Sequence, residues 1–310
     1  MINDLIIIGS GPAGYTAGIY AARAELKPLI LGGEKSGGQL MNTKVVENWP
    51  GVEAGVMGPE LMMEMGKQAQ KFGAKIVYKN ATKVDFLQRP FKVWNGEEEY
   101  QAKAVIIATG AESIRLGVPG EDKFFGKGVS VCAVCDAPFY KEKITYVIGG
   151  GDAAIEDALA LTKHAKEVYI VHRRDEFRAS KIMSKRAKEN EKIKILWNTE
   201  LKEVVGEEKV TKIKVLDNKT NEEKDLVTDG VFLAIGHRPA TDVFKGQVDL
   251  DEKGYIKVKY SFENEFLTQT NIEGVFAAGD VVDFKYQQAV TAAGMGCMAA
   301  LDAERWLEKK

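Results

Sequence analysis

Leu5-Ile6-Ile7-Ile8-Gly9-Ser10-Gly11-Pro12-Ala13-Gly14 is an unbroken aliphatic run delivered straight into a glycine-rich turn. A continuous apolar run suits a strand of a parallel sheet, buried on both faces. Small and apolar residues over 15–24 then read as a helix, and Pro28-Leu-Ile-Leu31 as the next strand. The glycines therefore sit on a strand-to-helix turn, where a dinucleotide pyrophosphate meets the helix N-terminus. That context lifts the Gly-x-Gly-x-x-Gly pattern above an ordinary tight turn.

The plan recurs. A strand over 144–148 runs into Gly149-Gly150-Gly151-Asp152-Ala153-Ala154, a helix follows to about residue 164, and a strand occupies 167–171. Ala154 takes the third glycine position, which the dinucleotide pattern allows. The fold class expected is α/β, with two Rossmann-like dinucleotide-binding domains. A Met-rich amphipathic helix over 61–72 reads as core packing. Short strands are expected at 75–78 and 91–94, with a turn at Asn95-Gly96. A buried strand over 104–110 ends in Thr-Gly, and the turn-rich stretch 111–128 marks a domain crossing. Strands are expected near Lys194, over 212–216 and over 231–235, with a solvated hairpin loop at 217–225. Beyond Pro239 the pattern changes: a strand at 254–258, an apolar strand closing on Gly279-Asp280, and a helix over 288–306. If that tail returns to the first unit, the second is an insertion. The domains expected are 1–113, 114–244 and 245–310. Insertion at an exposed turn is physically tolerated.

The chain has 310 residues, 45% of them hydrophobic, and a net charge of −2. The length allows about two domains of ordinary size. No global basic field argues for nucleic acid or an anionic membrane as partner. No stretch is long and apolar enough for a membrane-spanning helix, and no signal-peptide pattern precedes the first strand. Only three cysteines occur. That usage fits a reducing cytoplasm with one catalytic pair. The third, Cys297, is expected as a buried, inert thiol.

The other two lie in Cys132-Ala133-Val134-Cys135-Asp136. Cysteines spaced this way can close a small disulfide that exchanges electrons rather than stapling a fold. A zinc site would need further Cys or His ligands nearby, so no metal is expected. Asp136 is either the acid–base partner of a thiolate or a cap for the next turn. Downstream, His172-Arg173-Arg174 with Arg178 occupies the end of the second strand after the second fingerprint. An acid there would bind ribose hydroxyls; a basic cluster instead pairs with the 2′-phosphate of NADPH. The first unit lacks a clean acid at that place. Glu34 comes slightly late and either turns to a ribose or is an exposed loop carboxylate. Two nucleotide sites and one dithiol read together as a relay from nicotinamide to flavin to disulfide to an outside partner.

These motifs, with Gly37-Gly38-Gln39-Leu40, Glu47-Asn48-Trp-Pro-Gly51, Ala108-Thr109-Gly110, Ala234-Ile235-Gly236-His237 and Ala277-Ala-Gly279-Asp280, resemble the low-molecular-weight bacterial thioredoxin reductases from end to end. The resemblance implies an FAD domain in two pieces with an NADPH domain inserted. It also implies a homodimer, and reduction of thioredoxin by NADPH. By the same likeness, FAD contacts fall at Gly9, Gly11, Pro12, Ala13, Gly14, Glu34, Gly38, Gln39, Asn48, Ala108, Thr109, Gly110, Gly279, Asp280, Gln288 and Ala289. NADPH contacts fall at Gly149, Gly151, Asp152, Ala153, His172, Arg173, Arg174, Arg178, Ile235 and Gly236. Cys135 would face the flavin, Cys132 would attack the partner disulfide, and Asp136 would be the general acid–base. A dithiol on the NADPH domain must reach flavin and partner in turn, which the resemblance solves by rotating one domain against the other. The nearest rival flavoprotein, which reduces a peroxidase partner, carries an additional N-terminal thioredoxin-like module. This chain departs from the pattern at Gln287, Asp152 and Ala137-Pro138, where relatives often have Arg, Asn and Gly.

Overall fold

The computed structural model describes residues 2–43, 45–261 and 263–310. The chain divides into two compact units, Met1–Glu112 with Arg238–Lys310, and Ser113–His237. The first unit is built around the strand Ile2–Ile8. Ile6, Ile7 and Ile8 pair in parallel with Leu29, Ile30 and Leu31 on one side and with Val105, Ile106 and Ile107 on the other. The sheet runs 75–77, 29–31, 2–8, 98–107, 91–95, 83–85, and Val275–Ala277 joins the strand Glu98–Ile107 in parallel. Leu5 and Ile7 face the helices Pro12–Arg23, Gly58–Lys71 and Ala289–Glu308. Ile6 and Ile8 face a second layer holding Phe86, Phe91 and Phe244. Both faces are covered, which is why Leu5 to Ile8 can all be aliphatic.

The second unit repeats the plan with a five-stranded parallel sheet, ordered 129–130, 230–233, 144–148, 167–171, 193–196. The helices Asp152–Thr162 and Lys181–Glu189 cover one face. An antiparallel sheet of Thr199–Gly206, Val210–Asp217 and Glu223–Val227 covers the other. Of the charged segment 217–225 expected as a hairpin loop, only 218–222 is the connection; Asp217 ends one strand and Glu223–Asp225 begin the next, paired with Lys214–Leu216. Among the described residues, no helix is long and apolar enough to cross a membrane.

Three expectations need correction. The return to the first unit falls at His237–Arg238, not after residue 244. The Ala240 amide donates to the Gly110 carbonyl at 3.0 Å, and Phe244 is buried against Phe86. Residues 254–258 form no strand. Asp251 gathers the Lys253 and Tyr255 amides on one carboxylate oxygen, and Gly254 takes φ +89°, so the backbone turns there. Cys297 is half-buried rather than buried. The Met-rich helix behaves as expected at Met62 and Met65, which are core, while Met63 is exposed.

The helix Ala289–Glu308 crosses Pro12–Arg23 at backbone distance. A Cβ on Gly296 would run into the Ala13 carbonyl group, whereas one on Gly294 would meet nothing within 4 Å. Gly296→Ala is therefore expected to cost about 1–3 kcal/mol through forced separation. Gly294→Ala should be neutral or gain up to about 1 kcal/mol from helix propensity. Urea unfolding of the two variants checks the contrast, and equal effects would show that the helices are not in close contact.

Candidate functional site

The first fingerprint opens onto a cavity of about 710 Å³. Gly9 bends the chain with φ +115°, and a Cβ on Gly14 would strike the Gly9 carbonyl. The third glycine thus lets helix and strand approach. Around Gly11 there is open space on the cavity side. Gly11 caps Pro12–Arg23 with no side-chain hydrogen bond, so the first-turn amides are left for a ligand. Pro12 at the first helical position has no N–H to lose. Gln288, Ala289 and Ala292 line the same cavity, so a second helix N-terminus also opens on it. Two positive dipole ends at one cavity favour an anion.

Of the residues expected here, Gly9, Gly11, Pro12, Ala13, Glu34, Gly38, Gln39, Ala108, Thr109, Gly110, Asp280, Gln288 and Ala289 line the cavity. Gly14 and Gly279 stand behind the wall. A Cβ on Gly279 would come within 2.9 Å of the Ala13 side chain. Asn48 is exposed and donates to Gln288 Oε1 at 3.4 Å. The Thr109 hydroxyl donates to the Ala240 carbonyl at 2.8 Å. Glu34 is exposed and on the cavity wall, so both readings of it stay open.

Sequence reasoning missed what holds the 32–38 loop. Ser10 Oγ accepts from the Gly37 amide at 3.0 Å and from Ser36 Oγ at 3.1 Å, and Ser36 Oγ lies 2.7 Å from the Tyr15 hydroxyl. Ser10 occupies the variable second place of the fingerprint, where the pattern demands nothing. Lys35, Asn80, Arg238 and Asp242 also reach the cavity, from segments with no motif.

In the second unit, the fingerprint turn is built on similar close approaches. A Cβ on Gly149 would meet the Ala154 side chain at 2.8 Å, and one on Gly150 would overlap the His172 ring. His172 is buried beneath that turn, beside Phe177 and Trp197. Burial, with the three arginine charges after it, holds its pKa below the usual histidine value. Its ring thus supports the turn from beneath, with Nε2 buried and unpartnered. Among the described residues, Arg173, Arg174 and Arg178 make no ion pair, leaving their guanidinium groups available. Asp152 Oδ1 accepts from the Ser180 amide and hydroxyl at 3.0 and 2.8 Å. Gly151 caps the helix Asp152–Thr162 with no side-chain bond, and Ala153 is exposed. Gly236 takes φ +114°, and Ile235 packs on the core beside it.

Cys132 and Cys135 are joined in a disulfide with Cα atoms 5.3 Å apart. Cys132 caps the short helix Ala133–Asp136, its Sγ accepting from the Cys135 amide at 3.2 Å. The Cys132 amide donates to Ser130 Oγ at 3.1 Å. Asp136 precedes the 3₁₀ turn Ala137–Tyr140 but makes no side-chain cap there. The capping reading therefore fails. Burial raises the Asp136 carboxyl above the usual aspartate range, against a smaller lowering from the Ser130 hydroxyl. Val134, between the cysteines, is 65% exposed, so the segment is open to solvent.

The family model of pyridine nucleotide-disulphide oxidoreductases matches residues 3–296, and the chain belongs to that family. It is 52% identical over 310 residues to a thioredoxin reductase of Mycolicibacterium smegmatis, covering 100% of this chain and 98% of the relative. Among solved structures it resembles the thioredoxin reductase from Giardia duodenalis (TM-score 0.92, 44% identity, 98% of each chain). It also resembles that from Streptococcus pyogenes (TM-score 0.93, 40% identity, 100% of this chain and 99% of the other).

Asp280 closes the strand Val275–Ala277 into the first cavity. Its Oδ1 is buried without a hydrogen-bond partner. Burial, and secondarily Asp283, pushes its pKa from 3.8 up to about 7. The native ligand-free chain thus binds more protons than the unfolded chain between those values, and its stability falls as pH rises through that window. Asp280→Asn should flatten this slope and be the more stable form at about pH 8. Denaturant midpoints across the window check it; parallel slopes would mean that the carboxyl is not held protonated.

Proposed function

We propose that this chain is an NADPH-dependent disulfide reductase acting on thioredoxin, with FAD in the first cavity and NADPH on the second fingerprint. The observation that carries the reading is the closed Cys132–Cys135 pair beside a half-buried Asp136 of raised proton affinity. The chain's full-length likeness to thioredoxin reductases supports it.

The first cavity fits FAD. Two helix N-termini suit a pyrophosphate, the space over Gly11 suits backbone approach to it, and the unpartnered Asp280 oxygen suits a sugar hydroxyl. Bound there, FAD supplies two-electron transfer between a hydride donor and a disulfide. Glu34 is the candidate for its ribose. On the second unit, Gly149 lets the turn close on its helix and Gly151 leaves the backbone open to a pyrophosphate, while Arg173, Arg174 and Arg178 pair with a 2′-phosphate.

The dithiol chemistry belongs to the chain's own sulfurs. In the reduced pair, Cys132 as thiolate attacks a thioredoxin disulfide sulfur. One S–S bond forms, and the partner's S–S bond breaks to a leaving thiolate. Asp136 holds and returns the proton that this exchange moves. Cys135 then attacks Cys132 Sγ, which re-forms the internal disulfide and releases the second thioredoxin thiol. Alternation between two orientations of the units would serve flavin and partner in turn, on the microsecond-to-millisecond scale of hinge motion. Family likeness and the sparse cysteine usage extend the reading to a homodimer in the cytoplasm.

The purified protein should be yellow, bleach with NADPH and regain colour on adding thioredoxin. Cys132→Ser and Cys135→Ser should each abolish thioredoxin reduction while bleaching persists. Only Cys135→Ser, which keeps Cys132, should trap a mixed disulfide efficiently. Trapping through Cys135 alone would reverse the two roles.

Cofactor choice has its own test. Exchanging Arg173 and Arg174 for Ala removes charge-assisted contacts worth about 1.5–3 kcal/mol each, so NADPH should bind at least about tenfold more weakly. NADH should be nearly unaffected. Equal losses for the two nucleotides would refute the 2′-phosphate assignment.

A further inference from the structure

We propose that Asp152 is a positioning residue whose carboxylate clamps the basic loop to the second fingerprint and thereby sets the selectivity for a 2′-phosphate. The inference rests on the NADPH reading above. The arginines lie on the connection between the strand Glu167–Val171 and the helix Lys181–Glu189. The loop carries three arginines against Asp175 and Glu176, and Asp175 is engaged by Lys219, so the arginines keep an excess of positive charge that favours a spread loop unless contacts hold it. At its near end, the Asn198 amide donates to the Arg174 carbonyl at 3.1 Å, and Asn218 Nδ2 donates to the Arg173 carbonyl at 2.8 Å. At its far end, the Arg178 amide donates to the Gly150 carbonyl at 2.8 Å. Phe177 packs against Trp197, and beyond it the side-chain tie to the fingerprint helix is the double bond from Ser180 to Asp152.

Ser180 shows what this bond displaces. Serine is a favoured helix N-cap, its oxygen accepting amides of the first turn. Ser180 is the N-cap of Lys181–Glu189, yet it makes no side-chain cap. Its hydroxyl is turned instead to Asp152 Oδ1. The helix gives up its own cap, and the loop is fastened to the first residue of the fingerprint helix Asp152–Thr162.

Two effects of Asp152 must be separated. Its negative charge at the fingerprint disfavours any nucleotide phosphate nearby. Its acceptor oxygen fixes the loop. Asn keeps the acceptor and loses the charge; Ala loses both. A charge effect on the 5′-phosphate also acts alike on 5′-AMP and 2′,5′-ADP, so the ratio of their affinities isolates the 2′-phosphate contact.

The experiment is calorimetric titration of the flavin-loaded, full-length protein with 2′,5′-ADP and with 5′-AMP, which requires no turnover. The wild type should bind 2′,5′-ADP the more tightly. Asp152→Ala should bind 2′,5′-ADP about tenfold more weakly, the scale of one lost charge-assisted hydrogen bond, with 5′-AMP within about twofold. Asp152→Asn should restore the wild-type ratio. An unchanged ratio in Asp152→Ala, equal loss of both ligands, or failure of Asn to restore it would each overturn the clamp while leaving the NADPH reading intact. Equal binding of the two ligands by the wild type would instead overturn the NADPH reading and the clamp with it.

Discussion

Backbone-to-backbone approach at the first glycine turn is the constraint on which the first unit is built. A side chain on Gly14 would meet the Gly9 carbonyl, one on Gly296 the Ala13 carbonyl, and one on Gly279 the Ala13 side chain. Three elements far apart in sequence thus converge on one turn, and none tolerates even a methyl group without moving. Close packing of this kind yields discrete arrangements rather than gradual ones. Its consequence is electrostatic. Because the two helices can come this near, their N-termini open on one cavity, and their dipoles add where neither alone would make a site. Asp280 faces that same cavity and is kept short of partners.

The second unit starts from the same turn and ends with different chemistry. Gly149 again bends the chain against its helix, but the space under Gly150 is filled by the His172 ring. A buried neutral ring suits that place, because a charged one would add to the arginines around it. The first unit's cavity carries Glu34 on its rim, whereas the second fingerprint carries arginines. Two copies of one strand–turn–helix plan therefore differ where the second strand ends, where a nucleotide's ribose is recognised.

What was legible in the sequence was local. The aliphatic run, the glycine spacing and the cysteine spacing each express their structure within a few residues, and each is where it was expected. What was hidden depends on distant partners. Nothing around Pro239 shows that Ala240 binds the Gly110 carbonyl, so the return crossing was placed too late. The segment after Gly254 is turned back by Asp251 and pairs with 249–251 through a single antiparallel bridge at Ile256, too short to make a strand. His172 has the composition of a phosphate ligand, and only its packing against Gly150 shows that it is a support. Ser10 and Ser180 sit at positions where many residues would satisfy the local pattern. Their hydroxyls act on loops that only the tertiary fold brings near.

The dithiol shows how the second unit divides its charges. Three of its five arginines, Arg173, Arg174 and Arg178, lie on one loop. At the short helix of the disulfide, burial rather than a neighbouring cation shifts Asp136. Had a lysine or arginine been paired with that carboxyl, the ionised form would be favoured and the shift would run the other way. Asp157 follows the same logic: burial pushes it up to about 7, only partly offset by the amide of Ala133, the residue after Cys132. A carboxyl able to keep its proton is what a departing thiolate needs, and a carboxylate paired with a cation would not provide it. With Arg173, Arg174 and Arg178 on the loop and none on the dithiol helix, the two clusters keep separate electrostatic environments within one small unit.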